Sequence, residues 1–307
     1  MIPSLKQLRY LVAIADTLHF RRAAELSHVS QPTLSGQLRE LEQRLGVQLV
    51  ERSRAKVVLT PIGKEIAARA RVVLRHVQDL VELAEQDKGV LGGTLRLGVL
   101  PTLGPYLLRH ILPELHLSYP QLKLYIREGS PTALLQDLDE GRLDLLIFAL
   151  PVKGADLKVA RLFREPLLIA ASSDHGLAAK DFAERADLKG ETVLGLERGY
   201  HLHAQVRELC ELYGARLSLD YEGTSLDTLR QMVGMGMGLT FLPALYVRSE
   251  IPKDDEVVVR PLRSRAPSRS IGLVWRRHSA RSDEFAALAG VMRGIVKSGV
   301  PEVTVLS

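Results

Sequence analysis

Hydrophobic residues near the start of the chain recur at helical spacing. Steps of three and four residues between leucines predict a helix with one buried stripe, formed by Leu34, Leu38, Leu41 and Leu45. Ser30 is placed to cap this helix, and Gly46 ends the pattern. Pro32 suits the first turn, because backbone N–H groups are unpaired there in any case. The polar positions between the leucines face outward, where short side chains at a helix start reach base edges.

Neighbouring segments complete a small domain around this helix. A first helix is predicted from Ser4, with Gln7 as capping-box partner and an apolar face formed by Leu5, Leu8, Val12 and Ala15. Residues 47–50 lead into residues 51–59, which predict a hairpin with basic residues at its turn. The whole is typical of a winged helix-turn-helix, whose DNA-facing residues we expect to be Arg21, Arg22, Gln31, Pro32, Thr33, Ser35, Arg39, Arg52, Arg54 and Lys56. For the three hairpin residues, a solvated turn is the alternative.

A long helix is predicted to follow, opening at Thr60-Pro61 and running without a breaker to about Lys88. Its apolar positions alternate steps of four and three, the spacing that joins two helices in a coiled coil: Ile66, Ala70, Val73, Val77, Leu80 and Ala84. The pattern predicts a homodimer. The alternative is a single helix that lies on its own domain.

Glycines at 89–93 predict a hinge before a second domain. Strands and helices are then expected to alternate over residues 94–100, 105–119, 122–127, 131–140 and 143–149, with further helices around 204–213 and 225–234, a strand at 271–275 and a last helix over 283–297. The chain is therefore predicted to be an α/β protein with a DNA-binding domain at 1–60, a linker helix at 61–88, a hinge at 89–93 and a two-lobed effector domain at 94–307. A cleft between lobes is the natural ligand site.

Composition and charge support this division. The 307 residues are 46% hydrophobic and 25% charged, which is typical of globular proteins. The net charge is +5, but residues 1–76 hold 13 Lys and Arg against 6 Asp and Glu, so +7 lies there and −2 in the remainder. Such a local excess favours a polyanion such as double-stranded DNA. The sequence has no signal peptide and no stretch that spans a membrane, so we expect a cytoplasmic protein without a membrane partner.

Up to about residue 290 the chain resembles LysR-type transcriptional regulators, and within them the OxyR peroxide-responsive regulators. The resemblance lies in residues 20–24, 28–37, 45–47, 102–108, 224–226, 229–230 and 242–245. It implies a periplasmic-binding-protein-like effector domain, pairing of dimers into a homotetramer, and RNA polymerase as a partner. The chain departs from the family pattern at one of its two cysteine positions. His201 stands at the position that resembles the first cysteine, and Cys210 stands at the second.

Candidate effector residues fall into two groups. Thr102, Ser130 and Thr132 follow strands, where helix N-termini offer N–H groups to a small anion or to peroxide; ordinary helix capping is the alternative. The resemblance implies that Thr102 lines a peroxide pocket, while Pro131 replaces a second pocket threonine. His201 and His203 precede Cys210, and together with Arg207 they are expected to stabilise its thiolate.

Cys210 has competing interpretations. On an apolar helix face it is either a redox sensor or a buried, inert thiol, and a metal site with the two histidines is weakly indicated. Neither a metal nor a cofactor is predicted. The sequence thus predicts a DNA-binding regulator, not an enzyme, that responds to hydrogen peroxide through Cys210. The alternative is a regulator that responds to a reversible small-molecule effector in the cleft, with a structural cysteine. An enzyme or solute-binding protein is a distant third, because neither needs residues 1–60.

Overall fold

The computed structural model describes residues 2–52, 57–85, 93–154, 156–220, 223–253, 255–263 and 266–306. By its contacts the chain divides into two compact units, Met1–Gly89 with Asp139–Arg142, and Val90–Leu138 with Leu143–Ser307. The boundary between Gly89 and Val90 lies within the predicted hinge at 89–93. No helix in the described ranges is long and apolar enough to cross a membrane.

Four helices and a hairpin make up the N-terminal unit. They are α1 (Leu5–Thr17), α2 (Phe20–Leu26), α3 (Gln31–Leu45), β1 (Val50–Arg52), β2 (Val57–Leu59) and α4 (Pro61–Glu85). Ser4 and Gln7 form the predicted capping box of α1. The predicted apolar face of α1 is wrong, however. Tyr10, Leu11 and Ile14 are its buried apolar residues, whereas Leu5 is exposed and Leu8, Val12 and Ala15 are only half-buried, because α2, α3 and α4 all pack against the face that carries Tyr10.

Helix α3 buries three of the four leucines of the predicted stripe, and Leu45 is half-buried. Leu34, Leu38 and Leu41 are fully buried against α1 and α2, where Ala23 and Ala24 keep the approach close. Burial of each leucine stabilises the unit by about 1.5–3 kcal/mol. At the end of the helix Gly46 adopts φ +68°, a left-handed conformation that suits glycine, and its N–H bonds to the carbonyl of Glu42.

Hydrogen bonds that the sequence pattern does not predict hold the connection from α3 to α4 in place. A carboxylate oxygen of Glu42 accepts hydrogen bonds from the backbone N–H groups of Leu49 and Val50, at 2.9 and 3.1 Å. Thr60 caps α4 through the N–H of Gly63 at 2.9 Å. A Cβ atom at residue 63 would lie 2.0 Å from the carbonyl oxygen of Leu49, so only glycine fits this close approach.

The predicted coiled-coil positions of α4 do not share one environment. Ile66 packs on the N-terminal core and Ala70 is buried, whereas Val77 is half-buried, and Val73 and Leu80 are 42% and 65% exposed. The end of the predicted helix at residues 86–88, and the side chain of Ala84, lie outside the described residues. The first turns therefore pack on their own unit, and the later turns present apolar side chains outward.

The effector domain is a mixed α/β structure. Its strands are β3 (Thr94–Val99), β4 (Lys123–Glu128), β5 (Leu145–Leu150), β6 (Leu157–Ser172), β7 (Thr192–Leu194), β8 (Arg216–Leu217), β9 (Leu239–Pro243), β10 (Val257–Arg260), β11 (Ser268–Arg276) and β12 (Thr304–Val305). Its helices are α5 (Gly104–Ser118), α6 (Pro131–Asp139), α7 (Arg185–Leu188), α8 (His201–Tyr213), α9 (Leu226–Gly234), α10 (Ala244–Glu250) and α11 (Ser282–Gly299). Short 3-10 helices lie at Gly176–Ala179 and Ile251–Lys253.

Two parallel sheets are joined through antiparallel strands. The order is β4-β3-β5-β11-β6-β9-β7-β8, with β10 and β12 also pairing with β6. Strands β4, β3 and β5 run parallel in one lobe, and β9, β7 and β8 run parallel in the other. The 16-residue strand β6 pairs with β11 in its first part and with β9 and β10 in its second. The two-lobed α/β prediction is confirmed, but it did not include the single long strand that crosses between the lobes.

Candidate DNA-binding surface and effector site

The outward face of α3 carries the predicted base-reading residues. Gln31, Pro32, Thr33 and Arg39 are exposed, and Ser35 is half-buried. Ser30 caps the helix through the N–H of Thr33 at 3.3 Å, and the two hydroxyl oxygens lie 2.7 Å apart. The cap thus fixes the rotamer of the Thr33 hydroxyl at the exposed end of the helix.

Basic residues flank this face. Arg21 and Arg22 are exposed on α2, and Arg21 pairs with Glu25 at 3.2 Å with both side chains mostly in solvent. Such a pair is worth about 0.3–0.5 kcal/mol, so it leaves the guanidinium available to a phosphate. Strands β1 and β2 form the predicted antiparallel hairpin. Its turn, with Arg54 and Lys56, and the side chain of Arg52 lie outside the described residues.

Thr102 belongs to a buried polar cluster in the effector domain. It follows β3, is 2% exposed, and accepts two hydrogen bonds from Arg269, at 3.1 Å through its hydroxyl and 2.9 Å through its carbonyl. The Nε of Arg269 donates to Glu165 at 2.8 Å, and the other oxygen of this carboxylate accepts the N–H of Leu245 at 2.9 Å. Both charges are fully buried and paired, as buried charges must be. The cluster therefore links the Thr102 loop to β6, β11 and α10.

A second polar group reaches the same strand from α8. The amide nitrogen of Gln205 donates to the carbonyl of Ser268, next to Arg269, at 3.2 Å. Its amide oxygen is buried and has no hydrogen-bond partner among the described residues. An unpaired buried acceptor costs about 1–3 kcal/mol, which a ligand or water that donates a hydrogen bond would recover.

The other predicted effector residues lie apart from Thr102. Ser130 caps α6 through the N–H of Ala133 at 3.4 Å, and Thr132 is exposed. His201 and His203 line a cavity of about 540 Å³ between α8, β8 and the loop after β7. None of the three hydroxyl residues lines this cavity, so the structure does not gather the five predicted residues around one space.

Cys210 lies on the inner face of α8 and not in that cavity. It is 3% exposed, on the same buried face as Val206 and Tyr213. Burial, followed by the charge of Glu211, raises the pKa of the Cys210 thiol to about 11. The expectation that Arg207 and the two histidines stabilise a thiolate is therefore wrong, because none of them offsets the effect of burial on the sulfur. At neutral pH the sulfur is a thiol.

Comparison with protein families decides the class of protein. Residues 5–64 match the bacterial regulatory helix-turn-helix domain of the lysR family, and residues 88–295 match the LysR substrate binding domain. The chain belongs to the LysR family of transcriptional regulators. The first match covers α1–α3, the hairpin and the start of α4, and the second extends over both lobes of the effector domain as far as α11.

Individual relatives of this LysR-family regulator match it over nearly all of its length. It is 45% identical over 290 residues to the DNA-binding transcriptional dual regulator OxyR of Escherichia coli K12, covering 94% of this chain and 95% of the relative. It is 35% identical over 295 residues to the regulator EstR of Acinetobacter baylyi, covering 96% and 97%. A structure of full-length OxyR from Pseudomonas aeruginosa, a variant, superimposes with a TM-score of 0.81 at 38% identity over 95% of each chain.

Sequence reasoning missed part of the candidate effector site of this LysR-family regulator. Arg269, Glu165 and Gln205 were not singled out. Glu165 interrupts the apolar run of β6, and Arg269 stands just before that of β11. A charge inside a buried strand is the available signal, since such a charge needs a partner.

Proposed function

We propose that this LysR-family regulator controls genes of the peroxide response, and that oxidation of Cys210 is its signal. The 45% identity to OxyR over almost the whole chain carries the peroxide assignment. Cys210 is the only cysteine in the sequence. An internal disulfide is excluded for a chain with one cysteine, so oxidation stops at sulfenic acid or passes to a second thiol.

Burial sets how this reaction proceeds. The thiolate attacks one peroxide oxygen, the O–O bond breaks, and sulfenic acid and hydroxide form. With a pKa of about 11, the thiolate is on the order of one part in ten thousand at pH 7. The reaction therefore depends on opening of α8. The added oxygen does not fit the apolar face that Cys210 shares with Val206 and Tyr213, so oxidation favours the opened helix.

The decisive experiment measures thiol state and DNA binding on the same sample. Peroxide is added to full-length protein, Cys210 is trapped with a sulfenic-acid reagent and analysed by intact mass, and operator footprints are recorded. We expect the mass of one reagent adduct together with a changed footprint, and neither in Cys210→Ala, which keeps an apolar side chain. A normal peroxide-dependent footprint in Cys210→Ala would show that the sensor is elsewhere.

A reversible ligand in the cleft is the second candidate signal. It is favoured by the raised pKa and burial of Cys210, together with the unpaired amide oxygen of Gln205 beside the Thr102 cluster. In this case Cys210→Ala responds normally to the effector. Gln205→Leu, which removes the polar group at similar volume, then abolishes the response without affecting operator binding by the free protein.

We further infer a homodimer through the exposed part of α4, assembled into a tetramer through effector domains; contact with RNA polymerase stays a prediction from the family resemblance. Apolar side chains of Val73 and Leu80 in solvent support the dimer.

Val73→Asp with Val77→Asp places unpaired charge in the interface, so we expect loss of dimer and of operator binding together. Lys64→Asp, on an exposed position outside the seam, is the control. Light scattering that reports the parent oligomer for the double variant contradicts the proposal.

A further inference from the structure

The cavity beside α8, defined here as the α8 cavity, has a composition unlike that of the Thr102 cluster. Its described lining residues are Gly195, Leu196, Arg198, Gly199, Tyr200, His201, His203, Ala204, Arg207, Leu217, Ser218 and Leu219. All of them belong to one lobe. Four of these residues are arginine or histidine, and none of those described is acidic. The cavity thus has a basic lining that the proposed peroxide chemistry does not use.

The charges at this lining are only weakly compensated. Arg207 lies 4.0 Å from Glu211, with side chains 59% and 73% exposed. An exposed pair at this distance is worth at most a few tenths of a kcal/mol, so it does not neutralise the guanidinium. Arg198 is exposed in the loop before α8. Two acids lie near the lining: the N–H of Asp220 donates to the Ser218 hydroxyl at 3.1 Å, and the charge of the half-buried Glu197 acts on Tyr200.

One histidine is held in a defined tautomer. The Nδ1 of His203 lies 2.6 Å from the carbonyl oxygen of Leu196, and a carbonyl only accepts, so Nδ1 carries the proton and donates. The ring is thereby oriented, and in this tautomer its Nε2 is a hydrogen-bond acceptor. The contact with Leu196 thus holds the imidazole at the wall of the cavity.

Three leucines make part of the lining apolar. Leu196 and Leu217 form one side, and Leu219 is 79% exposed at the edge. A side chain at residue 195 would reduce the space, since a Cβ atom there would meet Leu217 at 3.2 Å. A volume of about 540 Å³ lies in the range of small-molecule sites. An inorganic ion would leave the leucines uncovered, whereas an organic body would bury them.

From this combination we propose that the α8 cavity binds a small organic anion with an apolar body, through Arg198 and Arg207 at its charged end. The site lies on the helix that carries Cys210 but is lined by residues of its first two turns and not by the cysteine, so the proposal does not rest on the peroxide response. An occupant would contact the first two turns of α8.

Calorimetric titration of the full-length, reduced protein tests the proposal, with 4-phenylbutyrate as the probe. The neutral analogue 4-phenylbutan-1-ol tests the need for charge, and inorganic phosphate tests the need for an apolar body. We expect saturable binding of the carboxylate, binding of the alcohol at least about 10-fold weaker, and no competition from phosphate. Reductant is present and peroxide absent, so the result is independent of thiol oxidation.

Charge reversal locates the site. Arg198→Glu and Arg207→Glu are each expected to weaken phenylbutyrate binding at least about 10-fold, while Arg185→Glu, exposed in the same lobe outside the cavity, leaves it unchanged. Arg198 is in an exposed loop, and unchanged far-UV circular dichroism verifies that its variant is folded. No binding of phenylbutyrate at millimolar concentration, equal binding of the alcohol, or full binding by both reversal variants would each overturn the proposal.

Discussion

Helices α3 and α8 end in the same way and begin differently. Each is stopped by a glycine in a left-handed conformation, Gly46 at φ +68° and Gly214 at φ +71°. Helix α3 starts at a serine cap and carries its candidate functional groups on the outside, whereas α8 starts at Tyr200 without a side-chain cap and keeps its thiol inside. A DNA surface needs exposed donors. A sensor that changes the packing of a domain needs a group in the core.

The effector domain holds a buried ion pair, Arg269 with Glu165, whereas the pair of Arg21 with Glu25 in the N-terminal unit is exposed. Breaking the buried pair is expected to have the largest effect on stability. Arg269→Met leaves the carboxylate of Glu165 buried without its cation, so we expect a loss of about 3–5 kcal/mol in the free energy of unfolding of the effector domain. Arg21→Met removes an exposed pair on α2 and should change stability by less than about 0.5 kcal/mol.

Urea denaturation monitored by fluorescence measures the Arg269 effect. Trp275 is the only tryptophan in the sequence and is buried on β11, the strand that also carries Arg269, so its emission reports the effector domain. A similar urea midpoint for Arg269→Met and the parent protein would contradict the assignment of a buried, stabilising ion pair.

The next largest effect is expected in the rates at which a thiol on α8 and a thiol on α3 are alkylated. Cys210, with a pKa of about 11, is compared with an exposed thiol on α3, Arg39→Cys in a Cys210→Ser background. At pH 7 we expect Cys210 to react with iodoacetamide at least about 100-fold more slowly, because the raised pKa lowers the thiolate fraction. Its rate should rise about tenfold per pH unit and continue to rise above pH 9. A plateau at pH 9, as for the exposed thiol, would show that its pKa is not raised.

The contrast between the helices also explains what sequence reasoning could predict. The stripe of α3, the cap at Ser30 and the stop at Gly46 are local features, and each was predicted. The partner of Arg269 lies 104 positions away in the chain, and no local pattern indicates such a pair. The side of α1 that is buried depends on three helices packing at once. Likewise, the burial of Cys210 followed from its apolar helix face, but the direction of its pKa depends on which neighbours reach the sulfur.

Base recognition by α3 is tested by a smaller change. Thr33→Ala removes an exposed hydroxyl, and we expect a loss of about 1–3 kcal/mol for the preferred operator with little change for non-specific DNA. Thr33→Ser keeps the hydroxyl that lies 2.7 Å from that of Ser30, and should retain the preference. Fluorescence anisotropy with operator and scrambled duplexes measures both. Equal losses on the two duplexes would place Thr33 outside the base-reading surface.

The matched glycines give the smallest and most specific effect. Gly46→Ala and Gly214→Ala each force alanine into a left-handed conformation, at a cost of about 1 kcal/mol. The N–H of Gly214 bonds to the carbonyl of Cys210, so weakening this cap favours opening of the turn that contains the thiol. We expect Gly214→Ala to speed alkylation of Cys210 about fivefold, and Gly46→Ala, in the other unit, to leave it unchanged. Equal rates in the two variants would mean that Cys210 reacts without opening of the end of α8, and that the contrast between the helices does not control access to the sulfur.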